Sequence, residues 1–193
     1  MLDFDILSWL IGLLVLIPLL AFLWRRKRNV WFLLTFSLFW LYLMLLVSAV
    51  IFPIPLESNF WSEPGQSVVQ AVLSRVNLIP FNYLIQFDGA PTAILYEIMD
   101  NILLTIPFGF GLNFLVRLKA QHVLWVSLVL GLGLESAQLL VSFFVGPYRT
   151  VDVTDVILNA SGTLLGYTIF RLFAWLWHRG LGAFVDEVAH TPN

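Results

Sequence analysis

Glu135 and Gln138 stand three residues apart in an otherwise oily run, LESAQLLVSFFV. Extending their face by threes and fours collects Ser127, Gly131, Glu135, Gln138 and Ser142 on one side of a helix. Past Gly146-Pro147 a second stripe begins: Asp152, Asp155, Asn159, Gly162 and Gly166, with Arg149 in the connection between the two. Ionisable groups inside a bilayer cost at least ~2.5–3.5 kcal/mol each on insertion scales, and they face a bundle interior or a cavity. Such a set can recognise a polar headgroup. Arg149 offers a planar fork to an anionic group such as a phosphate. Glu135 is the deep acceptor, with Gln138, Asn101 and Asn159 as orienting hydrogen-bonders. Asp152 and Asp155 either hold Arg149 in place or bind a cation that bridges to the ligand.

Each of these residues also has a local explanation. Asp152 is placed to cap a helix N-terminus, with Asp155 in its first turn, both favoured by the free N–H groups and the helix dipole. Gly162 and Gly166 have the G-x-x-x-G spacing of close helix packing. Arg149 can pair with Asp152 near water. Glu135 stands apart, because mid-span it has no cap to make.

The elements that must position these residues are membrane helices. The chain has 193 residues, of which 11% are charged, and a mean hydropathy of +0.89; soluble domains carry about 25% charged residues. An all-α integral membrane protein follows, and a nucleic-acid partner does not. With no cysteine, disulfides, thiol chemistry and cysteine zinc sites are excluded. His122, His178 and His190 show no metal-ligand spacing, so neither a metal nor another cofactor is expected.

Five apolar runs are long enough to cross a bilayer, over 4–24, 30–52, 95–116, 122–145 and 153–177. The first is flanked by Asp3 and Asp5 on one side and by Arg25, Arg26, Lys27 and Arg28 on the other, which is not the pattern of a cleaved signal peptide. Of the ten Lys and Arg, eight fall near one predicted face: Arg25, Arg26, Lys27, Arg28, Arg117, Lys119, Arg171 and Arg179. The positive-inside rule then sets the N-terminus outside and the C-terminus in the cytoplasm. Trp24, Trp31, Trp125, Trp175 and Trp177 gather at the same inner interface. The first outer loop, 53–93, opens with the polar stretch IPLESNFWSEPGQ. Its second part, SVVQAVLSRVNLIPFNYLIQF, reads as an amphipathic or re-entrant segment, and six spans result if 68–87 inserts fully. The third run carries Glu97, Asp100 and Asn101 at its outer end, the two acids at headgroup level and Asn101 about one turn deeper. Glu135 lies thirteen residues beyond His122, roughly 20 Å at 1.5 Å per residue, which places it level with Asn101 and Asn159. The chain divides into a first span with its basic turn (1–29), a helical membrane domain (30–178) and a short cytoplasmic tail (179–193).

Several ordered motifs resemble those of the VanZ-like membrane family. Asn77-Leu78-Ile79-Pro80-Phe81 is similar to its N-x-x-P-F element, and Asn101 through Pro107-Phe108-Gly109 to its N-x(5)-P-F-G element. Glu135-x-x-Gln138, then Arg149, then Asp152-x-x-Asp155-x-x-x-Asn159-x-x-Gly162-x-x-x-Gly166, resembles its closing signature. The likeness covers roughly 45–170. It implies a protein of the cell membrane in a setting of resistance to teicoplanin, a lipid-bearing glycopeptide, and adds Asn77 to the candidate pocket. The resemblance brings no agreed mechanism.

The leading expectation is a binding protein whose outer-leaflet polar pocket takes membrane lipid, a lipid-linked cell-wall precursor or a lipoglycopeptide. The first alternative is an intramembrane enzyme in which the carboxylates hold Mg²⁺ or Mn²⁺, although no nucleophile or His/Cys ligand set is present. The second is a scaffold whose polar residues lock helices together. A transporter of five spans without internal repeat would need a homodimer.

Overall fold

In a computed structural model the chain is described over residues 2–55, 67–82, 91–116 and 118–189, with backbone only at 91 and 180–189. Most of the polar start of the first outer loop, the end of its second part, Arg117 and His190 lie outside the described residues.

Each helix begins and ends for a local reason. Helix α1 (Ile6–Arg25) is capped by Asp5, which accepts the Ser8 N–H at 3.1 Å. Helix α2 (Val30–Ile51) is capped by Asn29, which accepts the Phe32 N–H at 2.7 Å. After it come a short helix α3 (Val68–Leu73) and strand β1 (Val76–Asn77). Helix α4 (Pro91–Leu115) and helix α5 (Ala120–Val145) form the next hairpin. Strand β2 (Val151–Asp152) leads directly into helix α6 (Val153–Ala189). β1 and β2 pair in parallel, Val76 with Val151 and Asn77 with Asp152.

Five of these helices are long and apolar enough to cross a membrane: Ile6–Arg25, Val30–Ile51, Thr92–Leu115, Ala120–Val145 and Val153–Arg179. Helix α3 is not among them. At six residues it is roughly 9 Å long against a core of about 30 Å, so the described part of 68–87 does not cross a membrane as a helix. Helix α6 runs on past residue 179 to Ala189; no proline interrupts the chain before Pro192.

The interior reverses the pattern of a soluble protein. The largest fully buried side chains are Asn159, Thr105, Thr154, Thr163, Ser127 and Ser142, while leucine, isoleucine, phenylalanine and tryptophan cover the outside. Lipid tails are as apolar as a leucine core, so packing inside a bilayer favours small residues that let backbones approach and hydroxyls that find partners there. The buried hydroxyls bond back along their own helices: Ser142 to the Gln138 carbonyl at 2.9 Å and Thr163 to the Asn159 carbonyl at 3.0 Å. Thr105 also reaches across from α4 to the Asn159 carbonyl of α6 at 2.8 Å.

Helices α4 and α6 form the central crossing, and glycine makes it. A Cβ on Gly162 would strike the Ile102 carbonyl and the Thr105 hydroxyl; one on Gly166, the Ile106 carbonyl; one on Gly109, the Thr163 carbonyl. Further along, Phe110, Phe114, Phe170 and Phe173 interlock, with Phe114 and Phe170 edge to face at 5.0 Å. Helix α1 is held to α2 by Trp40, whose Nε1–H donates to the Gly12 carbonyl at 3.0 Å, and by a bridge between Leu2 and Ile54. Trp24, Trp31, Trp125, Trp175 and Trp177 are exposed at the end of the bundle that carries Arg25–Arg28 and Lys119.

Candidate functional site

At the opposite end, where α2 and α5 finish and α4 and α6 begin, the helices part around a cleft. Lower down, α2 and α4 touch: the Tyr42 hydroxyl donates to the Leu104 carbonyl at 2.8 Å, and Phe39 lies 5.6 Å from Phe108. Above that contact the gap is about 1020 Å³, at the upper end of ligand-site volumes. Ala49 and Val50 of α2 line one wall. Ala93, Tyr96, Glu97, Asp100, Asn101, Leu103 and Leu104 of α4 line another, with Gln138, Arg149, Thr150 and Asp155 completing it. Leu103 sits four residues before Pro107, which has no N–H, so its carbonyl loses the usual helical donor at the cleft wall.

Arg149 is positioned by a turn that folds onto the end of α2. Gly146 ends α5 with φ of 91°, a conformation that side-chain-bearing residues rarely adopt. The chain then turns so that the Tyr148 hydroxyl donates to the Ile51 carbonyl at 3.2 Å. Burial pushes the Tyr148 phenol up from its ordinary pKa, with the Arg149 guanidinium pulling the other way, so Tyr148 stays a neutral donor. Arg149 Nη2 donates to the Phe52 and Ala49 carbonyls at 2.9 and 3.3 Å. The last carbonyls of a helix lack partners and carry the negative end of its dipole, so a guanidinium caps them well. A guanidinium has five N–H donors in a fixed fork, and no described bond uses those on Nε or Nη1. The expectation that Asp152 or Asp155 holds Arg149 is therefore not met.

Asp152 has a different task. Its Oδ1 accepts the Thr154 N–H at 2.7 Å, capping α6, and its Oδ2 accepts the Asn77 Nδ2–H at 2.7 Å. The Asp152 N–H donates to Glu135 Oε2 at 3.1 Å. Glu135 was expected to have no cap to make; it makes one on a neighbouring helix. In a capping box an acidic residue of the first turn returns to the N-cap N–H; here that group comes from α5 instead. Asn77 also accepts the Ile79 N–H at 3.1 Å, and the Phe81 N–H reaches the buried Thr154 hydroxyl at 2.9 Å. The Asn77–Phe81 loop is thus clamped to the first turn of α6 at both ends. Asn77→Ala removes two of these bonds and is expected to cost about 1–3 kcal/mol, read as a lower unfolding midpoint in detergent. An unchanged midpoint would show that the clamp carries no weight.

The predicted residues therefore separate into two groups. Asn101, Gln138, Arg149 and Asp155 line the cleft. Asn101 Nδ2 donates to Asp155 Oδ1 at 2.9 Å and to the Glu97 carbonyl at 3.1 Å, and Gln138 Nε2 donates to the Val50 carbonyl at 3.1 Å. Asn77, Glu135, Asp152 and Asn159 are absent from the cleft wall. Asn159 is 2% exposed, and its Oδ1 has no partner among the described residues. Glu97 and Asp100, read from sequence as headgroup-level acids, belong to the wall, as do Tyr96 and Thr150. Their signal was available: Glu97, Asp100, Asn101 and Leu104 share a face at helical spacing. Gly162 and Gly166 lie away from the cleft, in the α4–α6 crossing. Among the described residues no group of three His, Cys, Asp or Glu side chains is gathered closely enough to hold a metal ion.

The VanZ/LLP1 family model matches residues 39–174. The chain belongs to the VanZ/LLP1 family. The matched stretch begins within α2 and ends within α6, so it contains every residue of the cleft wall and of the buried cap, while α1 falls outside it. The three motifs of the VanZ/LLP1-like stretch meet in space at the start of α6: Asn77 on Asp152, Asn101 on Asp155, and Glu135 on the Asp152 N–H. No curated protein and no solved structure matches the chain.

Proposed function

We propose that this VanZ/LLP1-family membrane protein binds an amphiphilic component of the cell envelope, taking its headgroup into the cleft while the hydrocarbon stays in the bilayer. The observation that carries this reading is the composition of the wall. Arg149, Gln138, Asn101, Asp155, Glu97 and Asp100 share one cavity with Ala93, Leu103 and Leu104, and the lining residues Tyr96 and Leu103 are more than half exposed. A ligand with one polar and one oily end fits both kinds of lining at once. The basic residues and tryptophans at the opposite end of the bundle support an outward-facing cleft in the cytoplasmic membrane. A lipid-linked cell-wall precursor and a lipoglycopeptide such as teicoplanin share this amphiphilic build, so glycopeptide resistance is one setting in which such binding would matter.

The test is native mass spectrometry of the gently extracted protein beside Arg149→Ala. The wild type is expected to retain an amphiphile that the variant loses by about tenfold or more, the equivalent of one charge-assisted contact. Equal retention by both proteins, with equal thermal stability, overturns the reading.

A further inference from the structure

The cleft is more acidic than a site built only for an anion. Glu97, Asp100 and Asp155 share it with Arg149 as the single basic side chain among the described wall residues. An anionic headgroup would meet Arg149 favourably and the three carboxylates unfavourably. A lone divalent cation fits no better, since these carboxylates do not gather at metal-binding geometry.

Resting on the amphiphile reading above, we infer that the headgroup is zwitterionic, a phosphate joined through a short spacer to a primary ammonium. The phosphate meets the Nε and Nη1 hydrogens of Arg149, whose Nη2 is already anchored on Ala49 and Phe52. The ammonium lies on the α4–α6 side. Asp155 is held there through the Asn101 amide, which leaves its second oxygen without a described bond, and Glu97 and Asp100 stand on the same wall. An ammonium brings three N–H donors and no acceptor, so it suits a wall of spread acceptors. A quaternary nitrogen carries the charge without the donors.

The probes are dihexanoyl phosphatidylethanolamine, phosphatidylcholine and phosphatidylglycerol, with water-soluble phosphoethanolamine as a fourth, titrated calorimetrically into the full-length protein in maltoside micelles. Phosphatidylethanolamine is expected to bind about tenfold more tightly than phosphatidylglycerol, with phosphatidylcholine between them. Glu97→Gln, at an exposed position, and Asp155→Asn, which can still accept from Asn101, are expected to erase that preference. Arg149→Ala is expected to weaken all of the phosphate-bearing probes. Phosphoethanolamine binding as tightly as the lipid assigns the same chemistry to a soluble source, and weaker binding assigns it to the membrane. Equal affinity for the ethanolamine and glycerol lipids overturns the zwitterion inference and leaves the amphiphile reading standing. Lack of binding by every probe, together with equal retention in the mass spectrometry experiment, overturns both.

Discussion

Leucine at Gly162 is expected to destabilise the bundle strongly, whereas leucine at Gly133 is expected to leave its stability unchanged. Both glycines lie in membrane-spanning helices, and hydropathy favours the larger residue at both. Their surroundings differ. The first atoms beyond Gly162 are the Ile102 carbonyl and the Thr105 hydroxyl, whereas an added Cβ at Gly133 meets nothing within 4 Å. Backbone cannot step aside as a flexible side chain can. Leucine at 162 therefore drives α4 from α6 and breaks the Thr105 bond to the Asn159 carbonyl. The cost is about 3 kcal/mol or more, at the upper end of overpacking penalties. Thermal unfolding in detergent is the readout, with a fall on the order of 10 °C for Gly162→Leu. A Gly162→Leu protein that melts with the wild type would contradict the crossing described here.

The second large effect is expected at Glu135, and two substitutions separate its roles. Glu135→Ala leaves the buried Asp152 N–H without an acceptor and opens a cavity where the side chain was, a loss of roughly 2–4 kcal/mol. Glu135→Gln keeps an oxygen in the same place, can still accept from Asp152, and is expected to stay within about 1 kcal/mol of the wild type. Because Glu135 caps α6 from behind the cleft wall, ligand retention should survive in the Gln protein. An Ala variant as stable as the wild type would remove Glu135 from its structural role. A Gln variant that melts normally but loses its ligand would show that the carboxylate charge itself acts on the ligand.

Much of the architecture was legible in the chain because the bilayer constrains it so tightly. A span needs about 20 apolar residues, and the segments so defined match the observed helices closely, from Val30–Ile51 to Ala120–Val145. The structure adds the caps that start the first two helices, Asp5 and Asn29. Helical spacing also predicted which face of α5 turns inward: Ser127, Gly131, Glu135, Gln138 and Ser142 are all buried. The motifs between Asn77 and Gly166 pointed to the VanZ-like family, and the match over 39–174 agrees.

Which polar residue faces the cleft and which faces its neighbour was decided only by tertiary structure. Periodicity fixes a face of one helix, but not what stands opposite it. Glu135 and Gln138 share a face, yet Glu135 meets the Asp152 N–H while Gln138 meets the cleft and the Val50 carbonyl. Arg149 and Asp152 are three residues apart and of opposite charge, yet Arg149 satisfies carbonyls at the end of α2, about 100 residues earlier in the chain, and Asp152 accepts from Asn77, 75 residues earlier. In a bilayer core, without water, a buried polar group is costly unless it finds a partner inside the protein. That requirement is global: it is met across helices whose contacts the sequence does not spell out, and it assigns each polar side chain to the cleft wall or to the frame behind it.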